Sequence, residues 1–265
     1  MNNNEEKILE KEIKALKEET EVIELLDRDV NLAAHQLGDK ISKNTWVIAV
    51  SILLAGAFIG GGLFFSGGYG APSPAGNNSP ENVSKIVKSD HIKGSVSAPV
   101  KIIEFSDMEC PYCKTFHETM NRVMVEYGAE GKVAWIYRHF PLTNIHPSAI
   151  LEAQASECAA ELGGNDKFWA YIDRVFEITP SNNGLSTAQL PQIAAFVGLD
   201  VAKFNECLAA DKYKDKISDH SQDAVNSGAQ GTPYSVVITR RGEKLAINGA
   251  LPYESVKQII EQALK

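Results

Sequence analysis

Two cysteines three positions apart, Cys110-Pro-Tyr-Cys113, stand between an apolar run (residues 100–105, VKIIEF) and a helix-like stretch (residues 114–127). This placement constrains the fold more than any other feature of the chain. A strand must end and a helix must begin within a few residues of two sulfurs. The first turn of a helix has free N–H groups and the positive end of the dipole, and both stabilise a thiolate at Cys110. Pro111 suits that first turn, where a missing N–H costs nothing. Cysteines at this spacing close a small disulfide with little backbone change. The motif therefore reads as a redox pair, with one exposed nucleophilic sulfur and one sheltered partner.

The 265-residue chain carries 34 acidic and 26 basic residues, a net charge of −8, which argues against a nucleic-acid binder, since that would need a basic face. Residues 45–65 (TWVIAVSILLAGAFIGGGLFF) are uncharged over a length that spans a bilayer as a helix. The run lies too far in and is too long for a secretory signal, so it is expected to be an uncleaved anchor. Lys40 and Lys43 precede it, and no charge follows until Glu81. The positive-inside rule then places the N-terminus in the cytoplasm and the C-terminal domain outside, in a single-pass cell-membrane protein.

Four segments follow: a charged cytoplasmic helix at 1–44, the anchor at 45–65, a flexible linker at 66–82 rich in Gly, Pro, Ser and Asn, and a globular domain at 83–265. Within 1–44, apolar positions from Leu9 to Ile41 fall at alternating steps of four and three. A coiled coil and a membrane-surface amphipathic helix both fit that pattern. Gly56 and Gly60 add a small-xxx-small pair to the span, so a homodimer through the N-terminal part is one expectation.

In the globular domain, residues 133–138 (VAWIYR) read as a second strand. Residues 147–228 read as mostly helical, broken at Gly163-Gly164 and at residues 180–184. Residues 234–239 and 244–248 form a hairpin through Gly242, and residues 252–265 form a closing helix. The order is β-α-β, a helical block, then β-β-α.

The stretches Phe105-Ser-Asp-Met-Glu-Cys-Pro-Tyr-Cys113, Arg138-His-Phe-Pro-Leu142, Lys167-Phe-Trp169 and Gly231-Thr-Pro233 set in that order resemble the DsbA-type thiol:disulfide oxidoreductases. The resemblance covers nearly all of residues 95–265. It implies an α/β thioredoxin fold with an inserted helical subdomain at about 146–228. It implies that Cys110 is the attacking nucleophile, that Cys113 resolves, and that Pro233 is a cis-proline facing the disulfide. Thr232 would then lend its backbone to a bound substrate chain, with Pro111 and Tyr112 also at the substrate surface. Glu104, six residues before Cys110, falls where such enzymes bury an acid beneath the resolving cysteine. That acid can take the proton from Cys113. Its strand phase matches Ile102; a carboxylate in water on an edge strand is the other reading.

The resemblance further implies that thiols of exported proteins are the substrates, with a quinone-linked membrane protein as redox partner and no cofactor. The Pro-Tyr dipeptide departs from the Pro-His of strongly oxidising members. Without a nearby imidazolium, the disulfide should be less oxidising. Thr before the cis-proline resembles reductases and isomerases as much as oxidases.

Other readings are weaker. Structural zinc wants a second closely spaced cysteine pair, and Cys158 and Cys207 stand 49 apart, so no metal is expected. Both sit on apolar helix faces, as two core residues or as a structural disulfide bracing the helical block. In an exported domain, buried thiols within reach oxidise. A tethered peptide-binding module with an inert disulfide is the non-enzymatic alternative. His91, His117, His139 and His146 lack metal spacing and read as structural or surface groups. Trp135 and Trp169 read as core aromatics. Met108 and Glu109 adjoin the redox pair and are expected at the substrate surface.

Overall fold

The computed structural model describes residues 78–265, so the expectations for the charged helix, the anchor and most of the linker lie outside the described residues. Among the described residues no helix is long and apolar enough to cross a membrane.

Residues Val100–Ser106 form the central strand of the domain, labelled β2 because a short strand, His91–Gly94 (β1), precedes it. Strand β3 is Val133–His139, β4 is Tyr234–Ile238 and β5 is Lys244–Asn248. They make one sheet in the order β1-β3-β2-β4-β5. β2 and β3 run parallel, and the other pairings are antiparallel. A strand flanked on both edges and covered on both faces is mostly apolar, and β2 (VKIIEFS) is, apart from half-buried Lys101 and the buried polar residues Glu104 and Ser106. Val100 and Ile102 face one core with Val133, Trp135 and Tyr137. Ile103 and Phe105 face a second with Ala134, Ile136 and Val236.

Helix α1 (Pro111–Val123) begins at the redox motif, three residues before the sequence-based boundary, and runs on as a π turn at Met124–Gly128. It buries Cys113, Phe116, His117, Met120 and Val123, a single stripe at helical spacing, against the first core. The inserted block is α2 (Ala149–Ile178), α3 (Leu190–Phe196), α4 (Val201–Ala209) and α5 (Lys214–Asn226). The expected break at Gly163-Gly164 is a kink within α2, where Gly164 takes φ 75°. Asp200 caps α4 by accepting from the N–H groups of Ala202 and Lys203. Helix α6 (Tyr253–Ala263) closes the chain over the first core.

Trp135 on β3 packs against Trp169 on α2 with ring centres 4.6 Å apart, which joins the insertion to the sheet. Four histidines are buried, each against a carboxylate: His91 and His139 on Glu157, His117 on Asp173, and His146 on Asp107. Arg138, also buried, is clamped between Asp90 and Asp223. The end of the expected linker belongs to the domain. Ser79 N–H donates to the Asn226 carbonyl at 3.1 Å, and Lys244 Nζ donates to the Glu81 carbonyl at 2.7 Å.

Candidate active site

The redox motif sits on a loop organised by one side chain. Asp107 directly follows β2 and accepts the N–H of Glu109 on Oδ1 at 2.8 Å, a turn that Asp favours for its short acceptor. Its Oδ2 accepts Leu142 N–H at 2.7 Å and pairs with His146 Nδ1 at 2.9 Å. This anchors the loop after β3 to the loop before α1. Asp107 was missed as a site residue. The available signal was an Asp at a strand end, two residues before the next buried acid.

Cys110 is the N-cap of α1, with no side-chain cap of its own and Pro111 in the first turn. Its thiol donates to the Thr232 carbonyl at 3.5 Å, and the Thr232-Pro233 peptide bond is cis. A groove of about 530 Å³ lies beside that bond, lined by Gly228, Gln230, Gly231, Thr232, Pro233 and Asn248 among others. Tyr112 is 67% exposed and Pro111 half-buried, so both border solvent next to Cys110. Met108 and Glu109 do not. Both are buried, which corrects the adjacency argument: the chain turns inward before Cys110 rather than along the surface.

The two thiols differ in their electrostatics. A hydrogen bond from Cys113, more than anything else, brings Cys110 down from 9.0 to about 6. The N–H groups of Cys113 and Tyr112 add to this, against the cost of burial. Cys113, fully buried, is pushed well above the ordinary thiol value by burial and then by the Cys110 thiolate. It accepts the Asp107 N–H at 3.4 Å. The surroundings thus favour the thiolate at Cys110 and the protonated thiol at Cys113.

Glu104 lies under this pair. It is in register with Tyr137 on β3 and Ser235 on β4, in the middle of the sheet and wholly buried, which overturns the reading as a water-facing edge carboxylate. Trp135 Nε1 donates to Oε2 at 2.9 Å, while Oε1 has no donor. Burial raises its pKa to about 7, opposed by Ser106 and Trp135. A carboxyl poised near neutrality can give or take a proton at physiological pH.

Away from this site, Cys158 on α2 and Cys207 on α4 are bonded, with Cα atoms 5.8 Å apart. Cys110 and Cys113 are free thiols.

A thioredoxin family model matches residues 87–262. DsbA2 of Pseudomonas aeruginosa superposes with a TM-score of 0.58 at 25% identity, covering 67% of this chain and 96% of that one. BdbD of Bacillus subtilis, in its oxidised form, superposes at 0.59 with 23% identity, covering 67% of this chain and 94% of that one. Among curated proteins, Na(+)/H(+) antiporter NhaA 3 of Salinispora tropica is 35% identical over 152 residues, 57% of this chain. The chain spans only 22% of that relative's length. With its family match and this sheet, insertion and redox motif, the chain belongs to the thioredoxin family and has the DsbA-like thiol:disulfide oxidoreductase fold.

Proposed function

We propose that the chain is a membrane-anchored protein thiol:disulfide oxidoreductase that donates disulfides to exported proteins through Cys110 and Cys113. The observation that carries this reading is the split between the two thiols: Cys110 is lowered to about 6 at a helix N-terminus, and Cys113 is raised and sealed beneath it. A low nucleophile pKa stabilises the reduced enzyme and so drives its disulfide to oxidise others.

In the forward direction a substrate thiolate attacks Cys110 Sγ of the enzyme disulfide. The Cys110–Cys113 bond breaks, a mixed disulfide forms at Cys110, and Cys113 leaves as a thiolate that takes a proton from Glu104. A second substrate thiolate attacks the mixed disulfide and releases the Cys110 thiolate. Two electrons pass from the substrate dithiol to the enzyme, and a quinone-linked membrane protein takes them on. The cis-proline loop supports strand-like docking of the substrate chain, with the Thr232 backbone, Pro233, Pro111 and Tyr112 around it. The uncharged run at 45–65 supports a single anchor with the catalytic domain outside the cytoplasm.

The same residues run backwards in a reductase or isomerase, and Thr before the cis-proline fits that second reading as well as the first. The test is the equilibrium of the Cys110–Cys113 pair with glutathione, alongside oxidation of a reduced substrate protein. A potential near −120 mV, DsbA-like, supports the oxidase; one near −270 mV, thioredoxin-like, supports the reductase. Substrate oxidation that persists in Cys110→Ala would remove both and leave a binding module.

A further inference from the structure

A second pair of acids lies next to the redox motif and is not used in the exchange chemistry. Glu109 precedes Cys110 directly, and Glu152 lies in the first turn of α2. Both are fully buried. Glu109 Oε2 accepts the Asn183 N–H at 2.6 Å. Its other oxygen and both oxygens of Glu152 have no N–H or hydroxyl donor.

Two ionised carboxylates with three bare oxygens in a dry interior are strongly unfavourable. The other titratable groups that face Glu152 do not relieve this. Asp107 is a third acid, and the Tyr171 hydroxyl is committed to the Leu190 carbonyl at 3.1 Å. One proton placed between the carboxyls satisfies the pair: Glu152 donates and Glu109 accepts. In keeping with this, burial and the adjoining Glu109 push Glu152 up to about 10.

The carboxylate of Glu109 also holds a strained segment. Ser181, Asn182 and Asn183 all take positive φ, 65°, 53° and 66°. Such a run of non-glycine residues persists only where its surroundings over-determine it. Glu109 supplies two of those ties, through its carboxylate to Asn183 and through its carbonyl to the Asn182 N–H at 2.7 Å. Asn183 Nδ2 adds a bond to the Ile145 carbonyl at 2.8 Å. Lys114, just after Cys113, reaches the Thr179 carbonyl at 2.7 Å. The end of α2 is therefore tied to the residues on both sides of the Cys-Pro-Tyr-Cys motif.

We propose that the Glu109–Glu152 carboxyl pair positions Cys110: it locks residues 181–183 against the redox loop, and it holds a single negative charge on the residue before the nucleophile that limits how oxidising the Cys110–Cys113 disulfide is. The second part rests on the functional reading above.

The test uses the full chain and compares Glu152→Gln, Glu109→Gln and Glu109→Ala. Glu152→Gln keeps a donor toward Glu109 and the same net charge, so its glutathione equilibrium should stay within about twofold of the parent. Glu109→Gln keeps an acceptor for Asn183 but removes the charge. Its disulfide should become about three- to tenfold more oxidising, the upper figure being about 30 mV for a two-electron couple. Amide exchange at Asn182 and Asn183 should speed up in Glu109→Ala and not in the two Gln variants. A Glu152→Gln shift as large as that of Glu109→Gln would overturn the pair, because Glu152 would then have been charged. Unchanged exchange in a folded Glu109→Ala would overturn the tie.

If the parent shows no glutathione transition, the functional reading fails and takes the redox-tuning half of the proposal with it. The pair is then still decided by the Glu152 carboxyl carbon resonance. A protonated shift through pH 8 supports the pair, and ionisation below pH 6 overturns it.

Discussion

The domain holds two cysteine pairs with opposite characters. Cys158–Cys207 is closed, ties α2 to α4 across 49 residues, and sits among apolar side chains. Cys110 and Cys113 are open thiols within one helical turn. Exposure does not separate them, since Cys207 is 7% exposed and Cys110 only 4%. What differs is what each sulfur faces. Cys110 meets a thiol and two backbone N–H groups, all of which stabilise negative charge. The insertion pair closes a long loop, and Cys207 Sγ faces the Glu161 carboxylate at 3.5 Å, which does not stabilise a thiolate. A reactive disulfide is thus defined by an asymmetry between its two sulfurs, and a structural one by the loop it closes.

The sharpest way to break this comparison is to exchange the losses. Cys110→Ala should lower substrate oxidation by at least about a thousandfold, since the nucleophile has no substitute. The double variant Cys158→Ala/Cys207→Ala should keep that activity within a few-fold. Denaturant unfolding should then show it less stable by about 4 kcal/mol, the loop-entropy estimate for a loop of this size.

Glu104→Gln tests the acid under the reactive pair. Its pKa is raised from 4.5 to about 7, so the folded state favours the protonated form. That stability is complete below about pH 4.5 and is lost as pH rises to 7. The Gln variant should match the parent at pH 4 and exceed it by about 3 kcal/mol at pH 8. Its rate of mixed-disulfide formation should lose the bend near pH 7. The smallest effect is expected for Cys113→Ala. Removing the largest stabiliser of the thiolate should raise the Cys110 pKa by about 1, read by ultraviolet absorbance.

The local part of this architecture was legible in the chain. An apolar run followed by Cys-Pro-Tyr-Cys implied β2 and the start of α1, because strand, proline and helix N-terminus are short-range matters. The hairpin was legible for the same reason, through Gly242 between two β-rich runs. What escaped depends on partners far apart in the sequence. β1 is four residues (HIKG), too short to show a period, and exists because β3 offers an edge. The strand phase of Glu104 showed its face but not its depth, because the strands that enclose it begin at residues 133 and 234. Glu109 looked like a surface neighbour of Cys110 until α2 and residues 182–183 closed over it. The clamping of Arg138 by Asp90 and Asp223 follows the same rule, because nothing in the spacing of a charge tells which distant element will neutralise it.

The most direct test is an absorbance titration of the reduced full-length protein at 240 nm, with Cys158–Cys207 left intact. The asymmetry described here requires one thiolate to appear near pH 6 and the second only well above 9. A first ionisation at the ordinary thiol value, or two cysteines ionising together, would contradict it.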